Sequence, residues 1–400
     1  MVFKTIPTAL KKNIICFFNE DNNVSIINTN SLEEKVHLLI IRDLRRLGWA
    51  LDYKNQKIEI KPPESYDKEV IKQSMSIKRN EIINNNRKWI DEHIVYARDN
   101  LTNGSILLKS KIIPIIEVCK TKEQHDLFRL FRYYWSSPFS DYVGRRIKII
   151  IRDSGLPNKP VIGIAALGSP IIHIPERDNY IGWDKHIRTK KLNYMMDAYV
   201  TGALPPYNYM LGGKLISILL TSKEIRKIYR EKYKDTAYPE LAGLFTTSLY
   251  GKSSQYNRLV LNGRKIYEPI GDTKGYGTLH LTSETFNAMI DLLREKNIYI
   301  SNSFGAGPSW TMRVIRTVGD ILGFDSNQLL MHSFKRKIYF IPFAENTVKF
   351  LNEKNKHLKY YNQNIIELTD YWKKRWYNGR RYNLDIIKRV SAFKKEDFTI

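Results

Sequence analysis

The 400-residue sequence predicts a mixed α/β (α+β) core, preceded by a helical region and followed by a basic extension. Three observations carry that expectation. Ile147, Ile149 and Ile151 alternate with Lys148 and Arg152, Asp153 to Pro160 is turn-rich, and Val161 to Leu167 is a second apolar run, the pattern of an antiparallel strand pair. Strand-like segments at Ala198 to Leu204 and Leu241 to Thr247 are separated by stretches of helical period. The chain is 42% hydrophobic, enough apolar side chain to exclude a disordered or fibrous protein. At roughly 150 residues per domain the length implies more than one core. The expected division is a small helix-hairpin, winged-helix-like region (1–63), a helical region (64–135), the α/β core (136–300) and the basic C-terminal extension (301–400).

From the N-terminus, Ser31 and Glu34 have capping-box spacing, and Leu32, Val36, Leu39, Ile40, Leu44 and Leu47 recur at helical intervals until Gly48. Trp49, Leu51 and Tyr53, then Ile58 and Ile60, alternate around a turn at Asn55 and Gln56, and Pro62 and Pro63 stop the second strand. Helix plus hairpin resembles half of a winged helix, a unit that more often serves packing than DNA reading. Glu64 to Leu101 holds no Gly or Pro and reads as one long helix or two collinear ones. Thr121 to Gln124 opens another helix, whose Phe128, Phe131, Tyr134 and Trp135 suit an aromatic core seam. Within the core, Trp183 and Asp184 precede a helical stretch to Met196, and Pro205 and Pro206 end the strand from Ala198. Helices follow at Leu211 to Leu220 and Lys223 to Lys234. A short helical segment is expected at Ser254 to Leu259, strands near Ile266 and Leu279, a Gly-containing loop at Asn302 to Pro308 and a further helical section from Met312.

Lys and Arg outnumber Asp and Glu by 65 to 41, a net charge of +24 that makes a polyanion the first partner to consider. Part of this charge is concentrated: Phe334 to Ile400 holds 16 Lys and Arg against 7 Asp and Glu. There, Trp372, Trp376 and Tyr382 interleave with Lys373, Lys374, Arg375, Arg380 and Arg381, a pattern suited to phosphate pairing beside base stacking and equally to a solvated helix. Two cysteines, Cys16 and Cys119, exclude a disulfide framework and fit a reducing cytoplasm. No signal-peptide pattern and no apolar 18-residue window occurs, so neither secretion nor a membrane partner is expected.

Spacing dismisses several catalytic signatures. Gly251-Lys252-Ser253 has Thr246 where a P-loop needs its first glycine, and no HExxH or GxSxG is present, so no metal site and no nucleophile elbow are expected. Two junctions are more informative. In Asp197 to Lys214 a strand ends at Pro205-Pro206 and passes Tyr207 into a helix that opens Gly212-Gly213-Lys214; unpaired amides and dipole there favour an anionic phosphate, while the glycines equally permit close helix packing. Thr246 to Arg258 follows a strand and gathers hydroxyls, an amide and two cations. Tyr256 is the candidate general acid, and Asn257 and Arg258 the candidate orienting groups; turn capping by Ser253 and Ser254 is a sufficient structural alternative. A third Gly-containing loop, Asp272 to Gly277, follows.

Several ordered stretches resemble one family. They are Trp135 to Pro138, Gly144 to Arg146, Tyr180 to Asp184, Met196 to Tyr207, Leu211 to Lys214, Ser253 to Arg258, Thr273 to Gly277, Trp310 to Arg316 and Asp370 to Trp376. Over roughly residues 30 to 398 the chain is similar to the DruA family, named for a component of the Druantia anti-phage defence system. The resemblance implies antiviral defence, with nucleic acid as target and a helicase component as partner. The order of elements also resembles the GNAT acyltransferase topology, in which amides at a loop-helix junction hold the coenzyme A pyrophosphate. That likeness implies a GNAT-like sheet, acyl-CoA or another phosphate-bearing ligand at Leu204 to Lys214, and Tyr256 as acid. The sequence departs from the GNAT signature at Tyr209, where Arg or Gln is usual, and at Lys214, where a small residue is usual. A non-catalytic scaffold for the helicase partner is the remaining alternative.

Overall fold

The computed structural model describes residues 16–18, 24–26, 31–54, 57–138, 144–278, 280–302 and 309–400. The chain falls into two compact units: Met1–Ile82, Ser136–Pro138 and Lys274–Lys335 form one, and Ile83–Trp135, Phe139–Thr273 and Arg336–Ile400 the other.

In the first unit, β1 (Cys16–Phe18) pairs antiparallel with β2 (Val24–Ile26). The capped helix forms over Leu32–Arg46, with Ser31 Oγ accepting from the Glu34 amide at 3.1 Å and Val36, Leu39, Ile40 and Leu44 buried. The hairpin follows as β3 (Ala50–Lys54) and β4 (Lys57–Lys61); its expected turn at Asn55 and Gln56 lies outside the described residues, as do Leu279 and the loop beyond Asn302. A helix not expected from the sequence, Ser283–Glu295, is tied to the first one through buried Asp43. Asp43 Oδ2 accepts from the Thr282 amide at 2.7 Å and the Thr285 hydroxyl at 2.6 Å, and Arg42 pairs with Oδ1 at 3.1 Å. A buried carboxylate with this many donors keeps its charge satisfied. The breaker-free stretch after Glu64 forms two helices parted at Asn86: Lys68–Asn85, most of it in this unit, and Arg87–Asp99, which belongs to the second.

The second unit is built on a seven-stranded mixed sheet. Its strands are β5 (Pro114–Val118), β6 (Arg146–Asp153), β7 (Val161–Gly168), β8 (Met195–Ala203), β9 (Gly243–Ser248), β12 (Glu268–Asp272) and β13 (Lys337–Pro342); the two-residue strands β10 (Val260–Leu261) and β11 (Arg264–Lys265) pair separately. The order is β12-β13-β9-β8-β7-β6-β5. Every neighbouring pair is antiparallel except β8 with β9. β7 is buried at all its positions, which explains its unbroken apolar run. The segment expected only as a C-terminal extension supplies β13, which sits between β9 and β12.

Two local expectations are corrected. The helix after Asp184 ends at Lys191, and β8 begins at Met195 rather than Ala198, because Met195 already pairs with Gly243. Ser254 to Leu259 is a tight turn rather than a helix. The Tyr256 and Asn257 amides both donate to Ser253 O, but Arg258 is left-handed at φ +64°, and a helix cannot propagate through that conformation.

The β7/β8 ladder leaves no room at Gly163, where a Cβ would stand 2.2 Å from Gly202 O. Overpacking costs about 1–3 kcal/mol, and a backbone oxygen inside a ladder yields little, so Gly163→Ala is expected at the upper end. Urea unfolding checks this against Gly379→Ala, a helical position with nothing within 4 Å, whose midpoint should hold or rise, since alanine favours the helix by up to about 1 kcal/mol.

Candidate anion-binding site

Parallel pairing of β8 with β9 lasts three residues, Met195 to Asp197 against Gly243 to Phe245. The next contact is already a side chain, Thr246 Oγ1 donating to Ala198 O at 2.7 Å. The helix Gly212–Leu219 packs on β8 and β7 beside this gap. Its approach explains its glycines: a Cβ on Gly212 would lie 2.7 Å from Tyr207 O, and one on Gly213 would lie 3.0 Å from Gln255 Oε1. Leu211 precedes the helix in a left-handed conformation, φ +59°, and its carbonyl accepts from Trp372 Nε1 at 3.1 Å.

The turn Ser253–Arg258 fills the gap. Gln255 Nε2 donates to Thr201 O on β8 and to Ser217 Oγ on the helix, both at 3.0 Å. Tyr256 is buried and lies face to face on Tyr267, 4.9 Å between centroids with planes 4° apart, with Tyr339 edge-on at 5.1 Å. Burial pushes the Tyr256 hydroxyl above its ordinary range, so it holds its proton. Tyr267 donates to Ser217 O at 2.8 Å, and Tyr339 to Asn257 Oδ1 at 3.3 Å.

The two junctions expected from the sequence meet at Lys214. Its Nζ donates to Ser254 O at 2.5 Å and to Asn257 O at 2.7 Å, and stands 5.1 Å from the Trp376 ring centre. Arg375 stands 5.2 Å from the same ring. Desolvation first, then the charges of Arg258 and Arg375, lower the Lys214 ammonium to about 8. Lys214, exposed Arg258 and exposed Arg375 thus form one cationic cluster drawn from three distant segments. Among the described residues none of the three forms an ion pair with a carboxylate. Lys373, Lys374, Arg375 and Trp376 sit on a single π-helical turn, Lys373–Tyr377, continuing the helix Ile365–Trp372. Such widened turns recur at functional sites.

Other candidates stand elsewhere. Tyr207 is buried, 2.9 Å from Asp153 Oδ2, a carboxylate that also accepts the Ile113 and Gly155 amides at 2.8 and 3.0 Å. Burial and then Asp153 raise its hydroxyl far above the ordinary range. Arg380 donates to Tyr209 O at 3.2 Å and Arg381 to Leu108 O at 3.1 Å, so both hold the C-terminal helices against the core. Sequence reasoning missed Gln255 as the wedge and Tyr267 and Tyr339 as its backing; no spacing links these tyrosines, and only their common neighbour, the β8/β9 gap, relates them. Among the described residues no three His, Cys, Asp or Glu side chains gather as a metal site, and no helix is long and apolar enough to cross a membrane.

Fold and site together define a mixed α/β protein whose described residues present a cationic cluster without an ion-paired carboxylate, beside the turn that carries buried Tyr256. Residues 65–353 match the family described as Druantia protein DruA. The chain belongs to the DruA family. It is 35% identical over 337 residues to the Druantia protein DruA of Escherichia coli (strain UMEA 4076-1), covering 82% of each chain. No solved structure matches it.

Lys214 makes the site visible to pH. Its folded value, about 8, lies below the ordinary 10.5, so between these values the unfolded chain binds the extra proton and stability rises with pH. Relative to Lys214→Met, the wild type should gain about 1 kcal/mol between about pH 8 and pH 10, less than the full shift because solvent screens a part-buried ammonium. Paired urea midpoints at the two pH values measure it; parallel curves would place Lys214 at an ordinary value.

Proposed function

We propose that the protein serves anti-phage defence as a DruA component that recognises nucleic acid by its phosphates at exposed Arg258, Lys374 and Arg375, beside buried Lys214. The observation that carries this reading is the convergence of like charges from residues 214, 258 and 375 with no ion-paired carboxylate among the described residues. Like charges held together at a part-desolvated surface are costly unless an anion completes the arrangement, and a phosphate chain does so. Trp376 backs this surface. It is contacted by Lys214, Arg375 and the edge of Tyr371, which favours phosphate contact over base stacking and so a recognition that does not depend on sequence. A helicase component remains the partner proposed from the family resemblance.

The second reading, a GNAT-like group-transfer enzyme, is favoured by the strand order and by the single parallel pair that parts after three residues. Against it, Gln255 already spans from Thr201 O to Ser217 Oγ, the place where a coenzyme chain would take its hydrogen bonds, and Lys214 is engaged by two carbonyls. Tyr256 as acid, with Asn257 and Arg258 as orienting groups, belongs to this second reading. Titration calorimetry with acetyl-CoA separates the two: measurable binding would favour group transfer.

The nucleic-acid reading is tested by fluorescence anisotropy with a random-sequence duplex. Lys374→Glu with Arg375→Glu should weaken binding at least about tenfold and flatten the slope of log K against log salt by about 2. Arg380→Ala with Arg381→Ala should leave affinity nearly unchanged and lower the unfolding midpoint instead. Unchanged binding in the first pair would remove this surface from the function.

A further inference from the structure

We infer that Arg146, Lys148, Lys232 and His125 form a second surface for nucleic-acid phosphates, at the end of the sheet where β6 begins. The inference rests on the proposed reading of the protein as a nucleic-acid binder and adds a separate place of contact. Strand alternation defines the face. Ile147, Ile149 and Ile151 of β6 pack in the core that includes Leu215 and Ile216 of the Gly212–Leu219 helix. Arg146 and Lys148, at the intervening positions, therefore project to the other side. There Lys148 Nζ stands 5.4 Å from the ring centre of Phe128, on the helix Lys122–Tyr133. The same helix carries exposed His125 in its first turns. The helix Lys223–Tyr233, which packs Ile225 and Tyr229 in the Leu215 core, reaches the same end of β6 with Lys232 beside Tyr233, whose hydroxyl donates to Arg146 O at 3.3 Å.

The neighbouring arginines of Gly144-Arg-Arg146 show how the fold sorts charge. Arg145 turns inward and donates to Asn193 O at 2.8 Å, Tyr229 Oη at 2.6 Å and Met195 O at 3.1 Å. Arg146 is exposed. The cations at this end of β6 act on one another. His125 is lowered by burial and then by Lys148, Lys232 and Arg146, with Asp126 the one acid opposing them, and Lys232 is lowered by burial and then by Arg146. β6 and two helices thus place four basic groups together, with Asp126 the carboxylate that opposes the lowering of His125. Charge complementarity selects a polyanion with regularly spaced charges, the phosphate backbone of nucleic acid, as occupant.

Bound phosphate would offset the repulsion that holds His125 down, so protonation of His125 and binding should reinforce each other. The charged groups facing His125 are Arg146 and Lys148 from β6, Lys232 from the neighbouring helix and Asp126 from its own. Affinity should therefore fall as pH rises through the His125 titration, and His125→Gln should reduce that dependence.

The experiment uses the full chain and the random-sequence duplex, with anisotropy read at several salt concentrations. Arg146→Glu with Lys232→Glu is expected to weaken binding at least about tenfold and to lower the salt slope by about 2. Combined with Lys374→Glu and Arg375→Glu, the losses should multiply, as expected for two sites that act independently. The milder pair Arg146→Gln with Lys232→Gln, with its unfolding midpoint measured, guards against loss of folding; it should lose affinity in the same direction at unchanged stability. Wild-type affinity and slope in the Arg146 and Lys232 variants, beside lost binding in the Lys374 and Arg375 variant, would overturn the second surface alone. A wild-type chain that binds no duplex would overturn both readings.

Discussion

The second unit depends on how little of the parallel β8/β9 pair is made. Backbone pairing stops after Asp197 and Phe245, and a sheet cannot leave the freed carbonyls of β8 buried without donors. Gln255 supplies one to Thr201 O, and the Thr246 hydroxyl supplies another to Ala198 O. The same wedge brings Tyr256 onto Tyr267 and Tyr339, converting an opening in the sheet into an aromatic core. It also sets the carbonyls of Ser254 and Asn257 where Lys214 reaches them. What would be a cleft in a sheet parted to hold a ligand is here closed by the chain itself.

That closure moves the exposed chemistry outward. Lys214 lies behind the turn, with Arg258 exposed at its left-handed end and Arg375 exposed on the π-helical turn, so the cluster faces outward rather than into the sheet. Its cost is visible in the lowered ammonium of Lys214. The C-terminal segment is the other half of the arrangement. Trp372 is buried and bonded to Leu211 O, which fixes the left-handed residue before the Gly212–Leu219 helix and seats the neighbouring cations beside Lys214. Basic residues in this segment consequently divide by the carbonyls within reach. Arg380 and Arg381 are spent on Tyr209 O and Leu108 O, while Lys374 and Arg375 keep an exposed face.

Much of the local structure was legible in the order of residues. The Ser31 cap, the Thr121 capping box, the alternation in β6 and the all-apolar β7 each reflect neighbours within a few positions, so periodicity reports them directly. β13 was not legible as part of the sheet, because its apolar residues find their partners near residues 243–248 and 268–272 rather than nearby in the chain. The helix Ser283–Glu295 went unassigned but was legible too, in its Thr282 cap and the spacing of Ala288, Met289, Leu292 and Leu293; only the bond from its cap to Asp43, 239 positions away, was not. At the site, the sequence singled out Lys214, Asn257, Arg258 and Arg375. It gave no sign that Tyr207 would be bonded to Asp153, or that Gln255 would occupy the gap.

By itself the sequence determined most of the local elements, the positive balance, the family resemblance and the glycines before Lys214, all matters of composition and short-range order. Tertiary structure alone decided which cations stand together and which hold carbonyls. The physical reason is that a side chain's role follows from what surrounds it after burial. Lys214, Asn257 and Arg375 become neighbours only when strands distant in the chain pair, part and are filled again.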